Sequence, residues 1–239
     1  MRHKFGITYF KMAKNKKEQD SFSEVESTLT KTEQLIEDNQ KILTIVIGVA
    51  VAIVVVYLGF TKLYIQPREA DAQDQMFVAE QYFEKDSFNL AINGDGNYLG
   101  FLDIVDDYGM TQAGNLSKYY LGISYLRLGE YETALDYLNE FDTEDLLLVP
   151  IAEGAKGDAY LELGETEKAI SAYKNAYSSN ENEFTNPIYM MKAANLMESA
   201  GNLNDALEVY QSIKEKYPTS AEGRSVEKYI ARVEIGQKK

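Results

Sequence analysis

No cysteine occurs anywhere in the chain, which removes disulfide frameworks, thiol nucleophiles, cysteine-zinc sites and lipidated-cysteine anchors at one stroke. Histidine is almost as scarce. The single copy, His3, lies among the first few residues, so a Ser-His-Asp triad or a two-histidine metal site would have to be built around a terminal residue. Positive charge is also short: 24 Lys and Arg face 38 Asp and Glu, for a formal net charge of −14. A chain with a pI near 4.6 lacks the basic footprint that displaces counterions from nucleic acid. What is present is apolar material, 45% of 239 residues, enough for one cored domain with length to spare.

The charge deficit is local. Residues 1–44 carry eight Lys/Arg and seven Asp/Glu, whereas residues 45–239 carry 16 and 31. The acidic character therefore belongs to the C-terminal body, a surface that stays in solution and is repelled by anionic headgroups.

Between Lys41 and Lys62, residues 42–60 contain neither charge nor proline. As a helix these residues span roughly 28 Å, close to the hydrocarbon thickness of a bilayer. A core helix apolar on every face is hard to cover in a chain this size. A cleaved signal peptide fits poorly with some 40 residues ahead of the segment and no small-x-small site after it. Residues 42–60 are expected to form one transmembrane helix, with Tyr57, Phe60 and Tyr64 at its interfacial end. Arg2, Lys4, Lys11, Lys14, Lys16, Lys17, Lys31 and Lys41 precede it, against Lys62 and Arg68 behind. The positive-inside rule then leaves residues 1–41 in the cytoplasm and carries the body across. Gly48 and Ala52 form one small-xxx-small pair, of a kind common by chance in apolar helices. Met12 reads as an alternative chain start, and Phe22, Val25, Leu29, Leu35 and Ile36 follow the spacing of an amphipathic lead-in helix.

The body repeats itself. Residues 121–138 (LGISYLRLGEYETALDYL) are echoed by 156–173 (KGDAYLELGETEKAISAY) and by 194–210 (ANLMESAGNLNDALEVY). Ala134, Ala169 and Ala206 follow one another at intervals of 35 and 37 residues. Small residues at Gly122, Gly157, Ala134, Ala169 and Ala206 let two antiparallel helices approach, Tyr125 and Tyr160 fill space between layers, and Gly129, Gly164 and Gly201 turn the chain. The pattern resembles the tetratricopeptide repeat, a helix-turn-helix unit of 34 residues. Residues 101–114 also parallel 210–223, where Pro218 is expected to pack within the repeat, and so extend the register to a divergent first repeat. Its helix A is expected from Pro67 to Lys85 and its helix B from Asn97 to Tyr108, with an insertion over 86–96 between them. The resulting expectation is all-α: one transmembrane helix, then an α-solenoid of about four repeats (67–113, 115–149, 150–185 and 187–219), then a capping helix over 220–235.

Two local features read as structure. Asn93-Gly-Asp95-Gly-Asn97 has the oxygen spacing of a calcium loop, yet Tyr98 and Ile104 occupy positions where an EF-hand requires glycine and an acid. Glu140, Asp142, Glu144 and Asp145 read as a solvated helix end, since catalytic carboxylates need a desolvated pocket. No metal, cofactor, small-molecule substrate or enzymatic activity is expected.

What the repeat resemblance implies is polypeptide binding on the surface lined by the A helices. The family's groove positions fall on Leu116, Tyr119, Ile123, Leu126 and Arg127, then on Ile151, Asp158, Leu161 and Glu162, then on Ile188, Met191, Asn195 and Glu198. Tyr119 and Ile123 depart from the Lys/Arg/Asn set by which some members clamp acidic chaperone C-termini. The architecture from Met12 onward resembles the YfgM-like ancillary subunits of the bacterial SecYEG translocon. That likeness implies a bitopic inner-membrane protein with periplasmic repeats, whose partners are translocon subunits, a membrane-anchored periplasmic chaperone and exported chains. A scaffold for another envelope assembly, or an organelle receptor with cytosolic repeats, are the alternatives.

Overall fold

The structure is a computed structural model and describes residues 39–237; the expected lead-in helix over 22–36 and the basic tail lie outside them. Among the described residues every regular element is helical. The chain divides into two compact units at Leu63/Tyr64.

The first unit holds α1 (Gln40–Phe60), which runs into a π-helical turn at Thr61–Ile65. No residue of α1 is buried, and its large apolar side chains from Ile42 to Phe60 are exposed. Among the described residues, one helix is long and apolar enough to cross a membrane.

The second unit is a series of antiparallel helix pairs. It comprises α2 (Gln66–Glu84), α3 (Phe88–Asn93), α4 (Phe101–Tyr108), α5 (Gln112–Leu128), α6 (Tyr131–Glu140), α7 (Leu148–Glu162), α8 (Thr166–Ser179), α9 (Asn186–Ser199), α10 (Leu203–Lys216), α11 (Ala221–Ser225) and α12 (Glu227–Gly236). The A helices α5, α7 and α9 end in the same way. Gly129, Gly164 and Gly201 adopt φ of 83°, 76° and 84°, a left-handed conformation that costs a residue with a Cβ about 1–2 kcal/mol. The next amide reaches back five residues: Glu130 to Tyr125, Glu165 to Tyr160 and Asn202 to Met197, at 2.8–2.9 Å. This is the Schellman closure that satisfies the last helical carbonyls.

The B helix then places its alanine. Ala134, Ala169 and Ala206 are each completely buried, and the residue four positions on, Leu138, Tyr173 or Tyr210, is buried with it. Opposite them, a Cβ on Gly122 would lie 2.5 Å from Leu138 Cγ, and one on Gly157 2.5 Å from Tyr173 Cε1. The A and B helices of a pair therefore approach as closely as the missing side chains allow. Tyr125 stacks on Tyr137, with centroids 5.6 Å apart, while Lys168 lies over the Tyr160 ring. Pro218, expected to pack, is instead exposed; it follows α10, where a proline stops helix continuation.

The first repeat corrects the expected register. Asp86, at φ 55°, occupies the turn-glycine position, and Ser87 N–H reaches back to Tyr82 O at 2.9 Å, as in the other turns. Ala91 then stands five residues after the turn, completely buried, as Ala134, Ala169 and Ala206 do. Helix B thus begins at Phe88, inside the segment expected to be an insertion. The extra residues lie later, within helix B, over 94–100. Ala91 precedes Phe101 by ten positions where Ala206 precedes Tyr210 by four, so about six residues are inserted. The second half of helix B consequently starts at Phe101, not Asn97. The Asp95 carboxylate organises the detour by accepting the amides of Asn97 and Tyr98, each at 2.9 Å, and the Tyr82 hydroxyl at 2.8 Å. Those hydrogen bonds hold its pKa below the usual carboxylate range.

The corners joining one repeat to the next are alike at both ends of the body. Thr111 Oγ1 accepts from Gly114 N–H, and Ser220 Oγ from Gly223 N–H, both at 2.9 Å, as N-caps. The expected capping helix is broken at Val226 into α11 and α12. Val226 and Val233 are buried in one cluster with Tyr210 and Ile213, which closes the apolar end of the solenoid.

Candidate functional site

Three A-helix positions, each fifteen residues ahead of a buried B-helix side chain, set the character of the surface lined by the A helices. In the second repeat the pair is Ile123 and Leu138, both apolar. In the third it is Asp158 and Tyr173, where the phenol donates to the carboxylate at 2.5 Å. In the fourth it is Asn195 and Tyr210, at 2.7 Å. The surface therefore changes from apolar to polar along the repeats.

A cleft of about 460 Å³ opens where the second and third repeats meet. From α5 come Tyr119, Ile123, Leu126 and Arg127; from the start of α6 comes Tyr131. Helix α7 contributes Ile151, Ala155, Asp158, Leu161 and Glu162, and α9 contributes Tyr189. Tyr119 and Ile123 also pack against the small cluster of Leu138, Ala152 and Ala155. Tyr131 and Glu162 bridge the repeats at 3.4 Å.

Polar groups in the cleft are held rather than loose. Lys192 Nζ donates to both Asp158 oxygens, at 2.6 and 2.9 Å, and lies over the rings of Tyr173 and Tyr189. Burial, and then the charge of Asp158, pushes the Tyr189 hydroxyl up to about 12. Burial raises Tyr119 as well. Both phenols are neutral donors over the physiological range. Arg127, by contrast, has no ion-pair partner among the described residues and is exposed at the mouth.

The fourth repeat does not supply the groove residues expected of it. Glu198 takes Arg232 of α12 bidentately, both distances 2.6 Å, and the Tyr210 hydroxyl at 3.0 Å. Arg232 holds the Glu198 carboxyl below the usual range. Asn195 is spent on the same phenol. Met191 packs against the core around Met190 and Tyr210, and Ile188 is exposed outside the cleft. Leu116 packs toward the first repeat. Tyr131, Ala155 and Tyr189 are cleft residues that the repeat pattern missed. For Tyr189 a signal existed: Gly154, in the middle of α7, leaves room for its ring, which a Cβ there would overlap.

The expected calcium-like segment is the Asp95 turn described above. In the acidic run, Asp145 caps α7 by accepting the amides of Leu147 and Leu148 at 2.8 and 2.9 Å, and Glu140 pairs with Lys118. Among the described residues no three His, Asp or Glu side chains gather as metal ligands.

Comparison with known proteins agrees with this geometry. Two family profiles of the tetratricopeptide repeat match residues 117–144 and 155–221. The body carries tetratricopeptide repeats. Similar solved structures include a protein from Podosopora anserina described as a putative kinesin light chain with nearly identical tetratricopeptide-like repeats. It aligns at 12% identity and TM-score 0.54 over 69% of this chain and 86% of that one. A variant form of the same protein aligns at 12% identity and TM-score 0.53, over 69% and 85%. At that identity the likeness is one of fold. A search of curated proteins found no match. Residues before 117 lie outside both matches, and the detour in helix B falls among them.

Proposed function

We propose that this protein is a membrane-anchored adaptor whose tetratricopeptide body holds a polypeptide in the cleft between Tyr119 and Tyr189. The observation that carries the reading is the cleft itself. It offers an aliphatic floor from Ile123 and Leu126, aromatic walls and neutral phenol donors, which suits an extended peptide with alternating apolar side chains and exposed amides. The exposed apolar faces of α1 support an anchor in lipid. The basic tail supports a cytoplasmic N-terminus with the repeats on the far side. In its finer form the proposal places the body at the periplasmic face of a bacterial inner membrane, beside the Sec translocon and a periplasmic chaperone, receiving exported chains.

Affinity isolation of the tagged full chain from native membranes in mild detergent, with mass spectrometry, tests this reading. Recovery of the translocon channel and a periplasmic chaperone, both reduced by Tyr119→Asp, is expected. Recovery of a single envelope complex without the channel would instead make the protein a dedicated scaffold. Protease protection of the repeats in spheroplasts would overturn the orientation.

A further inference from the structure

The two edges of the solenoid differ in a way that repeat packing does not require. One edge is formed by the turns inside each repeat: Asp86-Ser87, Gly129-Glu130, Gly164-Glu165 and Gly201-Asn202. These carry no large apolar side chain themselves, and beside them Leu128 is 37% exposed. The other edge is formed by the corners between repeats, and there Met110, Leu146 and Phe184 project with 68%, 66% and 78% of their surface exposed, with Leu147 beside them at 50%. Placing such side chains in water at successive corners forgoes roughly 1.5–3 kcal/mol of burial for each. Contiguous exposed apolar surface on a soluble face marks a contact site.

These corners are tied into one surface. Asn115 donates to Asp142 O at 2.6 Å, and the Asp142 amide returns to Asn115 Oδ1. Asn180 donates to Leu146 O at 3.0 Å, and Lys216 pairs with Glu181. The first turn of α2 lies at this same edge. Glu69 accepts the Gln112 amide at 2.6 Å, Arg68 donates to Asp107 O, and the Arg68 guanidinium lies over the Tyr64 and Tyr108 rings. The apolar corners thus sit on the side at which the chain enters the body.

Acidic side chains surround them. Asp142, Glu144 and Glu183 are exposed, and none has a cation partner among the described residues. An anionic bilayer surface is repelled by such a rim; a cationic polypeptide is attracted to it.

We propose that the inter-repeat edge carrying Met110, Leu146, Leu147 and Phe184 is a second docking surface, for a basic, apolar polypeptide segment lying near the point where the chain enters the body. It operates independently of the cleft. One surface then holds a resident partner while the other remains open.

The test uses the full chain in phosphatidylcholine nanodiscs and a short synthetic peptide of alternating lysine and leucine as probe, with a glutamate-leucine peptide and empty nanodiscs as controls. Because the chain has no cysteine, Leu147→Cys and, on the opposite edge, Glu165→Cys each accept a single environment-sensitive fluorophore. Saturable binding of the lysine peptide reported at 147 and not at 165 is expected. The Glu144→Lys/Glu183→Lys variant or Phe184→Ser should weaken it at least about tenfold, and Leu161→Asp, at an exposed cleft side chain, should leave it unchanged. Equal binding by the edge variants, or loss on Leu161→Asp, overturns the proposal. So does quenching of the 147 label by nitroxide lipid before peptide is added, which would make lipid the occupant.

Discussion

The first repeat and the three that follow it reach the same packing by different routes. In the regular repeats a glycine supplies the left-handed turn, and one unbroken helix carries both buried positions, as Ala134 and Leu138 or Ala206 and Tyr210. In the first repeat Asp86 supplies the turn, and Ala91 and Phe101 occupy the two buried positions from separate helices, α3 and α4. The difference teaches that the solenoid keeps positions in space rather than intervals along the chain. A detour of about six residues is tolerated because it leaves and rejoins at neighbouring points. A Cβ on Gly100 would overlap the Ile92 carbonyl, which shows how nearly the two ends meet, and loop closure over so short a distance costs little entropy.

The strongest way to break this equivalence is to overpack it. Ala134→Phe and Ala91→Phe should each lower stability by about 1–3 kcal/mol, read by denaturant titration of the helical circular dichroism signal. A neutral Ala91 variant beside a costly Ala134 variant would show that α3 is not the start of helix B. A second comparison concerns the turns. Gly164→Ala, at φ 76°, should cost about 1 kcal/mol. Asp86→Gly should change stability by less than that, because aspartate already tolerates the left-handed region. A large loss from Asp86→Gly would mean that the Asp86 side chain does more than adopt the turn.

The A-helix surface offers a third contrast, between the open cleft and the closed fourth repeat. Leu161→Asp, at a cleft side chain that is exposed, should abolish most partner capture with a small change in melting temperature, whereas Met191→Asp should destabilise the fourth repeat, since Met191 packs on its core. Isolation and melting curves of the two variants separate binding from folding. The smallest expected effect is electrostatic. The Glu198 pKa is depressed by Arg232 from its ordinary 4.5, so the contact is fully stabilising above that value. Its contribution is lost as pH falls through the lower, folded-state pKa. Glu198→Gln should flatten the acid limb of the melting curve slightly; an unchanged limb would remove the ion pair from the forces holding α12.

Most of the solenoid is legible in the chain because its contacts are short in sequence. Gly122, Ala134 and Leu138 meet within one helical hairpin, so the spacing of small and large residues records the packing directly. The first repeat departs from its expected register where this rule fails. Asp86 hides the turn from a search for glycine, and the detour shifts Phe101 out of phase with Ala91. The parallel between residues 101–114 and 210–223 locates the second half of helix B and its corner, but not where the helix begins.

The cleft is less legible than the fold. Position along the A helices identifies Tyr119, Ile123, Leu126, Arg127, Ile151, Asp158, Leu161 and Glu162, since each helix presents the same stripe to the same side. It cannot show that Glu198 and Asn195 are consumed by Arg232 and Tyr210, because those partners come from other helices. Nor can it show that Tyr189 reaches over Gly154 into the cleft.

Periodicity and composition alone therefore determined the helical class, the repeat and the apolar α1, all of which depend on residue content or on residues near one another in the chain. Which polar groups stay free, where the detour enters helix B, and that Met110, Leu146 and Phe184 share one edge were decided by tertiary structure. Those facts depend on segments distant in sequence meeting in space, and hydrogen-bond satisfaction and exposure are properties of that meeting rather than of any one segment.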